Sequence, residues 1–117
     1  MSNLSMATIE GFVTQDPLIK KTKTGKTVCN FSLSVTHKSD SEENQVSFID
    51  VETWDQIALA CSERVRKGKR LMVMGNLRQD RWQAQDGTQR SRVKIVGNQI
   101  RYLMARKDEE ALQKVSA

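Results

Sequence analysis

Hydrophobic and polar residues alternate with a period of two along most of this chain. Residues 28–36 show the pattern most clearly, because Cys29, Phe31, Leu33 and Val35 point to one side and short polar residues to the other. Such alternation is typical of a β-strand with one buried face. Three more segments show the same alternation. Their inward positions are Ala7, Ile9, Gly11 and Val13, then Leu71, Val73, Gly75 and Leu77, then Val93, Ile95 and Gly97. The pattern therefore predicts four strands.

A fifth strand and one helix are predicted in the middle of the chain. The strand covers residues 46–54, where Ile49 and Val51 belong to the core face. Over residues 55–68 the hydrophobic spacing changes to that of a helix. The inward positions of this helix are Ile57, Ala58, Cys61 and Val65.

Turn and capping residues mark where these elements end. Asp55 is predicted to cap the start of the helix and Gly68 to stop it, and tight turns are predicted at Thr24-Gly25 and Asp86-Gly87. The order is three strands, a helix and two strands. It predicts an all-β protein, a five-stranded OB-fold Greek-key barrel with one helix between strands three and four. A five-stranded SH3-like barrel is the structural rival, but it rarely has a three-turn helix at that point.

Two aromatic residues fall on the outward face of the third predicted strand. Phe48 and Trp54 flank Asp50 and Glu52 on the side opposite the core positions. Exposed aromatic rings are costly unless something covers them. A second subunit, the protein's own hairpin or an unstacked base could each cover these rings. A base stacked on an aromatic ring contributes about 1–3 kcal/mol. The two carboxylates would repel phosphate unless a neighbouring strand supplies Lys or Arg.

Trp82 lies in the hairpin between the last two strands, and its orientation depends on the turn. A two-residue turn at Asp86-Gly87 would place Trp82 on the core side. A type I turn one residue earlier, followed by Gly87 in the left-handed region, would place it opposite Arg90. We favour the second alternative, because residues 78–92 have almost no apolar partners near the tip. This hairpin is therefore predicted to project beyond the barrel, with Trp82 exposed.

Positive charge is concentrated near these aromatic residues. The chain has 19 Lys and Arg against 14 Asp and Glu, a formal net charge of +5, which favours a polyanionic partner. Cations cluster at the first turn, at the helix exit and on the last hairpin. The predicted phosphate contacts are Lys20, Lys21, Lys23 and Lys26, then Lys67 and Lys69, then Arg78, Arg81, Arg90 and Arg92.

Catalytic and metal-binding interpretations find little support in the sequence. GKT at residues 25–27 imitates the end of a phosphate-binding loop, but Lys20 stands where the first glycine is required. Asp50 and Glu52 lack a third metal ligand, and His37 has no nucleophile beside it. No catalytic residue, metal or cofactor is therefore predicted, and the protein is not expected to be an enzyme.

The remaining composition indicates a single intracellular domain. Cys29 and Cys61 lie 32 positions apart without a CxxC motif, which favours two reduced, buried thiols. The N-terminus does not have the pattern of a signal peptide, and no segment approaches the roughly 20 apolar residues of a membrane span. We expect a cytoplasmic, nucleoid-associated protein with no membrane partner.

Several motifs, taken together, resemble those of the bacterial single-stranded DNA-binding protein family over roughly residues 5–103. These motifs are Gly11 followed by QDP, then TGKTVCNFSLSV, the aromatic-rich strand ending at Trp54, and RKGKRLMVMGNLRQDRW followed by DG. The resemblance implies an OB-fold domain over residues 1–103 that binds and protects single-stranded DNA with little sequence preference. The associated processes are DNA replication, recombination and repair.

The resemblance also implies a homo-oligomer, usually a tetramer, and particular contacts with DNA. By position, Phe48, Trp54 and Trp82 are similar to stacking aromatics of the family, and Lys67 and Arg81 to neighbouring phosphate contacts. Asp50 departs from the family, in which a basic residue is common at this position. The segment after the second strand also lacks an aromatic residue that the family typically has.

The C-terminal residues 104–117 are a second departure from the family. They are predicted to form a short extension with the pattern of a weakly amphipathic helix of mixed charge. This extension does not have the acidic tip with which the family docks repair and replication proteins. Contact with such proteins is therefore not expected through an acidic tip. Two alternatives stay open: a replication-restart accessory protein of the same fold, which would bind single strands as a dimer, and a protein-interaction subunit whose aromatic face binds a partner chain.

Overall fold

The computed structural model describes residues 4–38 and 44–104, which form six strands and one helix. In chain order these are β1 (Ala7–Val13), β2 (Leu18–Lys21), β3 (Thr27–His37), β4 (Gln45–Trp54), α1 (Asp55–Arg64), β5 (Arg70–Gln83) and β6 (Gln89–Tyr102). The five predicted strands and the helix are all present. The additional strand is β2, whose four residues are all exposed, so no alternating buried face reveals it in the sequence. The predicted C-terminal extension lies almost entirely outside the described residues.

Hydrogen bonds between strands close the five long strands into a ring. β1 pairs antiparallel with β5 and, at Phe12 and Val13, also with β3. β5 pairs with β6, β3 pairs with β4, and β6 runs parallel to β4 beside Asp50, Val51 and Glu52. This ring, with β2 added beside β3, is the strand arrangement of an OB-fold barrel. The predicted fold class is confirmed, with α1 between the third and fourth long strands.

The interior of the ring is filled mostly by residues that the alternation places inward. The prediction is wrong for Leu77 and Val93, which are 47% and 57% exposed because they lie where β5 and β6 leave the core. The buried cluster consists of Val13, Cys29, Phe31, Leu33, Val51, Ala58, Cys61, Val65, Leu71, Val73 and Ile95. Ala58, Cys61 and Val65 come from α1 or directly after it, so the helix shares the core of the barrel. The buried hydroxyl of Thr53 donates a hydrogen bond of 2.8 Å to the carbonyl oxygen of Cys29, which satisfies both groups.

Both ends of α1 differ from the sequence prediction. Asp55 is the first helical residue, with φ +56°, and Trp54 occupies the capping position, where its side chain makes no capping hydrogen bond to the helix. The prediction that Asp55 caps the helix is therefore wrong. The helix ends at Arg64, because Val65 turns to an extended conformation and is fully buried in the core. Gly68, the predicted stop, lies beyond the end of the helix, where its N–H donates to the carbonyl oxygen of Val13 at 2.8 Å.

The turn between β5 and β6 settles the orientation of Trp82. The N–H of Gly87 donates to the carbonyl oxygen of Ala84 at 2.9 Å, and Gly87 has φ +86°. This is a type I turn followed by a left-handed glycine. The resulting register pairs Trp82 with Arg90, so the favoured alternative is confirmed. The turn between β2 and β3 has the same hydrogen bonding, with Gly25 in the left-handed position.

Two free thiols, Cys29 and Cys61, are fully buried in the core, as the sequence predicts. Burial raises the pKa of the Cys29 thiol from 9.0 to about 11, and the neighbouring Cys61 adds to the shift. Burial also raises the pKa of Cys61. The hydroxyl of Tyr102 donates a hydrogen bond of 3.4 Å to the sulfur of Cys61. The fold therefore holds both thiols in their neutral form.

We expect the free energy of unfolding to fall as the pH rises above 9. In the folded protein the pKa of Cys29 is raised from 9.0 to about 11, so its contribution is complete below pH 9 and is lost between the two values. At pH 10 this loss is about 1 kcal/mol. Urea unfolding at neutral and alkaline pH measures it, with Cys29→Ala as the control. If Cys29→Ala loses as much stability between neutral and alkaline pH as the parent protein does, Cys29 is not the group responsible.

Candidate nucleic-acid interface

A groove of about 510 Å³ crosses the outer face of the barrel. Sheet order places β3 and β4 between β2 and β6. Leu18 and Lys20 of β2 line one side of the groove, and Asp80 and Arg92 line the other. The latter two belong to the arm, defined here as residues 78–92 at the tip of the β5–β6 hairpin. The floor between the two sides is polar and contains Asn30, Ser32, Asp50, Glu52 and Lys94.

The arm has two faces of different character. All of its residues are exposed except Ala84, so the predicted projection beyond the core is confirmed. Paired residues share a face and neighbours along a strand alternate between faces. The face that carries Trp82, called here the Trp82 face, contains Arg78, Asp80 and Trp82 from β5 and Arg90 and Arg92 from β6. Lys94, two residues after the arm, continues this face towards the barrel. Trp82 itself is 44% exposed.

Arg81 lies on the opposite face of the arm from Trp82. Strand alternation places it with Gln79, and both its Nε and its Nη2 donate hydrogen bonds to the Gln79 side-chain oxygen, at 3.2 and 3.0 Å. Arg81 is therefore not on the side of the arm that carries Trp82, although the sequence places the two residues next to each other. Arg78, Arg90 and Arg92 do share the Trp82 face, because the turn register aligns them with it.

The two aromatic residues of β4 differ in exposure. Phe48 is 70% exposed and lies beside Ser34 of β3. Trp54 is half-buried at the end of the strand, and its indole N–H donates a hydrogen bond of 2.7 Å to Oε1 of Glu52. Both rings are on the outward face, as predicted, and Phe48 offers the larger accessible area.

The carboxylates of the groove floor are paired with cations from β6. Asp50 contacts Arg92 at 3.2 Å, and Glu52 contacts Lys94 at 2.6 Å. Lys94 also contacts Asp80 across the arm at 2.9 Å. The parallel pairing of β4 with β6 brings these groups together. Negative charge that would otherwise repel phosphate is thus largely neutralised within the site.

Lys94 has the most enclosed charge in the groove. Its side chain is 15% exposed and that of Glu52 is 18% exposed, whereas Arg92 is 65% exposed. Burial alone would lower the pKa of Lys94. The hydrogen bonds to Glu52 and Asp80 outweigh burial and raise this pKa above its usual value. Lys94 therefore stays charged, and its charge is directed at protein carboxylates.

One of the four lysines around the first turn belongs to the groove. Lys20 lines the groove directly. The remaining three are exposed on the same hairpin, in the order Lys21, Lys23 and Lys26. The contacts of these four lysines with phosphate stay a prediction.

Lys67 and Lys69 lie apart from the groove, in the turn after α1. Both are exposed and line a separate cleft with Leu103 and Met104. The backbone N–H of Lys67 donates to a side-chain oxygen of Asp16 at 2.9 Å, and Asp16 lines the groove. The helix exit therefore adjoins one end of the groove, whereas the arm and the first turn flank it.

Sequence reasoning did not assign Asp80 and Lys94 to the site. Lys94 could have been noticed as a cation between the apolar positions Val93 and Ile95, on the face opposite to them. Its two partners are 42 and 14 positions away along the chain, so its pairing depends on strand contacts that no local pattern reveals.

Neither a metal site nor a membrane-spanning helix is found in residues 4–38 and 44–104. Within these ranges, no group of three His, Cys, Asp or Glu side chains is arranged to hold a metal ion. A helix of the length and apolarity needed to cross a bilayer is also absent from them.

Comparison with known proteins gives a consistent result. The model of the single-strand binding protein family matches residues 4–103. The chain is 33% identical over 112 residues to single-stranded DNA-binding protein 2 of Chlorobaculum tepidum, covering 92% of this chain and 76% of that protein. It is 31% identical over 106 residues to the single-stranded DNA-binding protein of Treponema pallidum, covering 88% and 60% respectively. Identity to single-stranded DNA-binding protein 1 of a Synechocystis species is 30% over 95 residues, covering 80% and 78%.

The aligned relatives differ in how much of their length this chain represents. The match spans 60% of the Treponema protein and 53% of the Bifidobacterium longum protein, but three-quarters or more of the Chlorobaculum and Synechocystis proteins. Activities that depend on the rest of the longer relatives are therefore not carried over to this chain by the match.

Proposed function

The chain belongs to the single-strand binding protein family, and on this premise we propose that it binds single-stranded DNA with little sequence preference. In this proposal bases stack on Phe48, Trp54 and Trp82, and Lys and Arg side chains neutralise the phosphates. The observation that carries the proposal is the exposure of Phe48 and Trp82 on a single outward face that also holds cations.

Stacking explains why large rings remain exposed on this face. Each base that stacks on an aromatic side chain contributes about 1–3 kcal/mol, and every base has a flat face, so the contact is tolerant of sequence. Phe48 is 70% exposed and Trp82 is 44% exposed, which leaves area for a base on each. Phe48 lies on β4, which contributes Asp50 and Glu52 to the groove floor, and Trp82 lies on the arm, whose Asp80 and Arg92 line one side of the groove.

Phosphate contacts are proposed for the cations that border the groove. Among the described residues, Arg78 and Arg90 form no salt bridge, so their charge is available to a ligand. The cluster at the first turn adds Lys20, Lys21, Lys23 and Lys26. Lys67, Lys69 and Arg81 lie off this path, and as phosphate contacts they would require the strand to wrap around the barrel or the arm. Arg92 would have to exchange its contact with Asp50 for a phosphate.

We further propose a homo-oligomer, a tetramer by analogy with the family, that acts in replication, recombination and repair in the cytoplasm at the nucleoid. Apolar side chains outside the groove support association between subunits, since Met6 is 67% exposed and Val93 is 57% exposed. Light scattering distinguishes a tetramer from a dimer, the state that a replication-restart accessory protein would have. The proposal involves binding without a catalytic step.

Intrinsic tryptophan fluorescence, followed during titration with a long thymine oligonucleotide, tests this proposal. We expect strong quenching by the single strand and little by duplex DNA, because stacking requires unpaired bases. Affinity should fall with salt, with a slope of log affinity against log salt of about −3 to −4 if five or so phosphates are neutralised. Absence of quenching by either nucleic acid would favour the protein-interaction subunit, for which DNA would have weak effects that do not depend on salt.

A further inference from the structure

A continuous chain of polar contacts links the arm to the indole ring of Trp54. Asp80 on the arm contacts Lys94 at 2.9 Å, Lys94 contacts Oε2 of Glu52 at 2.6 Å, and Oε1 of Glu52 accepts the indole N–H of Trp54 at 2.7 Å. We propose that Lys94 and Glu52 are positioning residues that hold the Trp54 ring in a fixed orientation relative to the arm. This inference rests on the proposed function, in which Trp54 is a platform for a base.

Glu52 is suited to this role because both of its oxygens are engaged by different partners. One oxygen receives the ammonium of Lys94 and the other receives the indole N–H. An indole has a single N–H donor, so this bond fixes the edge of the ring that faces β4. The carboxylate is itself held from the opposite side by a charged group, and charge-assisted hydrogen bonds are stronger than neutral ones. The Trp54 ring therefore has less freedom to rotate than a tryptophan with a solvated N–H.

Lys94 connects β4 with β5, two strands that are not direct neighbours in the sheet. Its neighbours Glu52 and Asp80 lie on β4 and β5, while Lys94 lies on β6. The raised pKa of its ammonium is consistent with the two carboxylates outweighing burial. Asp80 is two residues from Trp82 on the same face of the arm, so the network relates the positions of both tryptophans.

The neighbouring ion pair provides an internal contrast. Asp50 and Arg92 also link β4 to β6, at 3.2 Å, but their side chains are 40% and 65% exposed. Neither residue donates a hydrogen bond to, or accepts one from, an aromatic side chain in the described part of the chain. Loss of this pair removes one ion pair from the same surface without removing a contact to Trp54, so Asp50→Asn is a matched control.

Fixing the ring before binding lowers the cost of ordering it when DNA arrives. Immobilising a side chain on binding costs a free energy equivalent to about a two- to tenfold change in affinity. A Trp54 that is already ordered avoids this cost, and its N–H remains satisfied by Glu52 when a base covers the ring. Lys94 therefore contributes to affinity without touching a phosphate.

Fluorescence of Trp54 in the absence of DNA tests the network directly. The chain has two tryptophans, so Trp82→Phe leaves Trp54 as the sole reporter. In this background we expect Lys94→Met to lower the fluorescence anisotropy of Trp54 and to increase its quenching by acrylamide. Lys94→Arg, which can still contact both carboxylates, should restore values close to those of the parent, and Asp50→Asn should leave them unchanged.

The effect on affinity for DNA is measured separately, with a labelled thymine oligonucleotide and protein that retains Trp82. Lys94→Met should weaken binding about two- to tenfold. Glu52→Gln keeps the shape of the side chain and serves as a milder variant if Lys94→Met does not fold. Folded variants at both positions with unaltered Trp54 anisotropy and acrylamide quenching would overturn the inference. Absence of single-strand binding by the wild-type protein would instead overturn the proposed function, whatever the Trp54 measurements give.

Discussion

Gly75→Ala is expected to lower the free energy of unfolding by about 3 kcal/mol or more. A Cβ atom at this position would lie 2.0 Å from the carbonyl oxygen of Val96 and 2.9 Å from the Cα atom of Gly97. These are backbone atoms of the paired strand, so no side-chain rotation relieves the clash. Gly75 also lies at the point where the register between β5 and β6 shifts, next to Met74. The substitution would force the two strands apart where they leave the core to form the arm.

Gly25→Ala is the matched control for this stability measurement. Gly25 has φ +85°, which is unfavourable for alanine, but no atom lies within 4 Å of the added methyl group. Its cost is therefore limited to backbone strain, about 1 kcal/mol. Urea unfolding of both variants separates strain from steric clash. If the two variants lose equal stability, β5 and β6 do not approach each other at Gly75 as closely as described.

Strand alternation and turn chemistry were sufficient to predict the barrel. Leu71 and Val73 are buried where the period of two places them, and the same holds for Phe31 and Leu33 of β3. One residue of turn register decided the orientation of Trp82, and the lack of apolar partners near the tip of the hairpin indicated the correct choice. These features are local, so a single sequence contains them.

Other features depend on which strands become neighbours, and local patterns do not reveal this. The contact between Lys94 and Glu52 exists because β6 runs parallel to β4, and the two residues are 42 positions apart in sequence.

The separation of Arg81 from Trp82 follows from the alternation itself. The sequence interpretation grouped the cations of the arm by proximity along the chain, whereas each β-strand directs successive side chains to opposite faces.

The short strand and the helix boundaries illustrate a further limit. Residues 18–21 form β2 through backbone hydrogen bonds to β3, with all four side chains exposed, so hydrophobic periodicity contains no signal for it. The helix begins at Asp55 without a side-chain cap and ends when Val65 enters the core. In both cases tertiary packing, rather than local residue preference, sets the boundary.

Trp82→Ala is expected to weaken binding of a thymine oligonucleotide by about 1–3 kcal/mol, or roughly 5- to 150-fold. The reason is the loss of one stacking platform on the exposed face of the arm. Stability should change little, because Trp82 lies among exposed residues beyond the buried cluster. Affinity is measured by anisotropy of a labelled oligonucleotide, and stability by urea unfolding of the same preparations.

Two companion variants make the Trp82 result specific to stacking. Gln83→Ala alters the adjacent residue, which alternation directs to the opposite face of the arm, and should leave affinity almost unchanged. Trp82→Phe retains an aromatic face and should recover part of the binding lost in Trp82→Ala. If Trp82→Ala binds as tightly as the wild type, bases do not stack on the arm, and Phe48 becomes the main exposed platform. Single-strand binding would then be centred on β4, and the arm would be available for contacts between subunits.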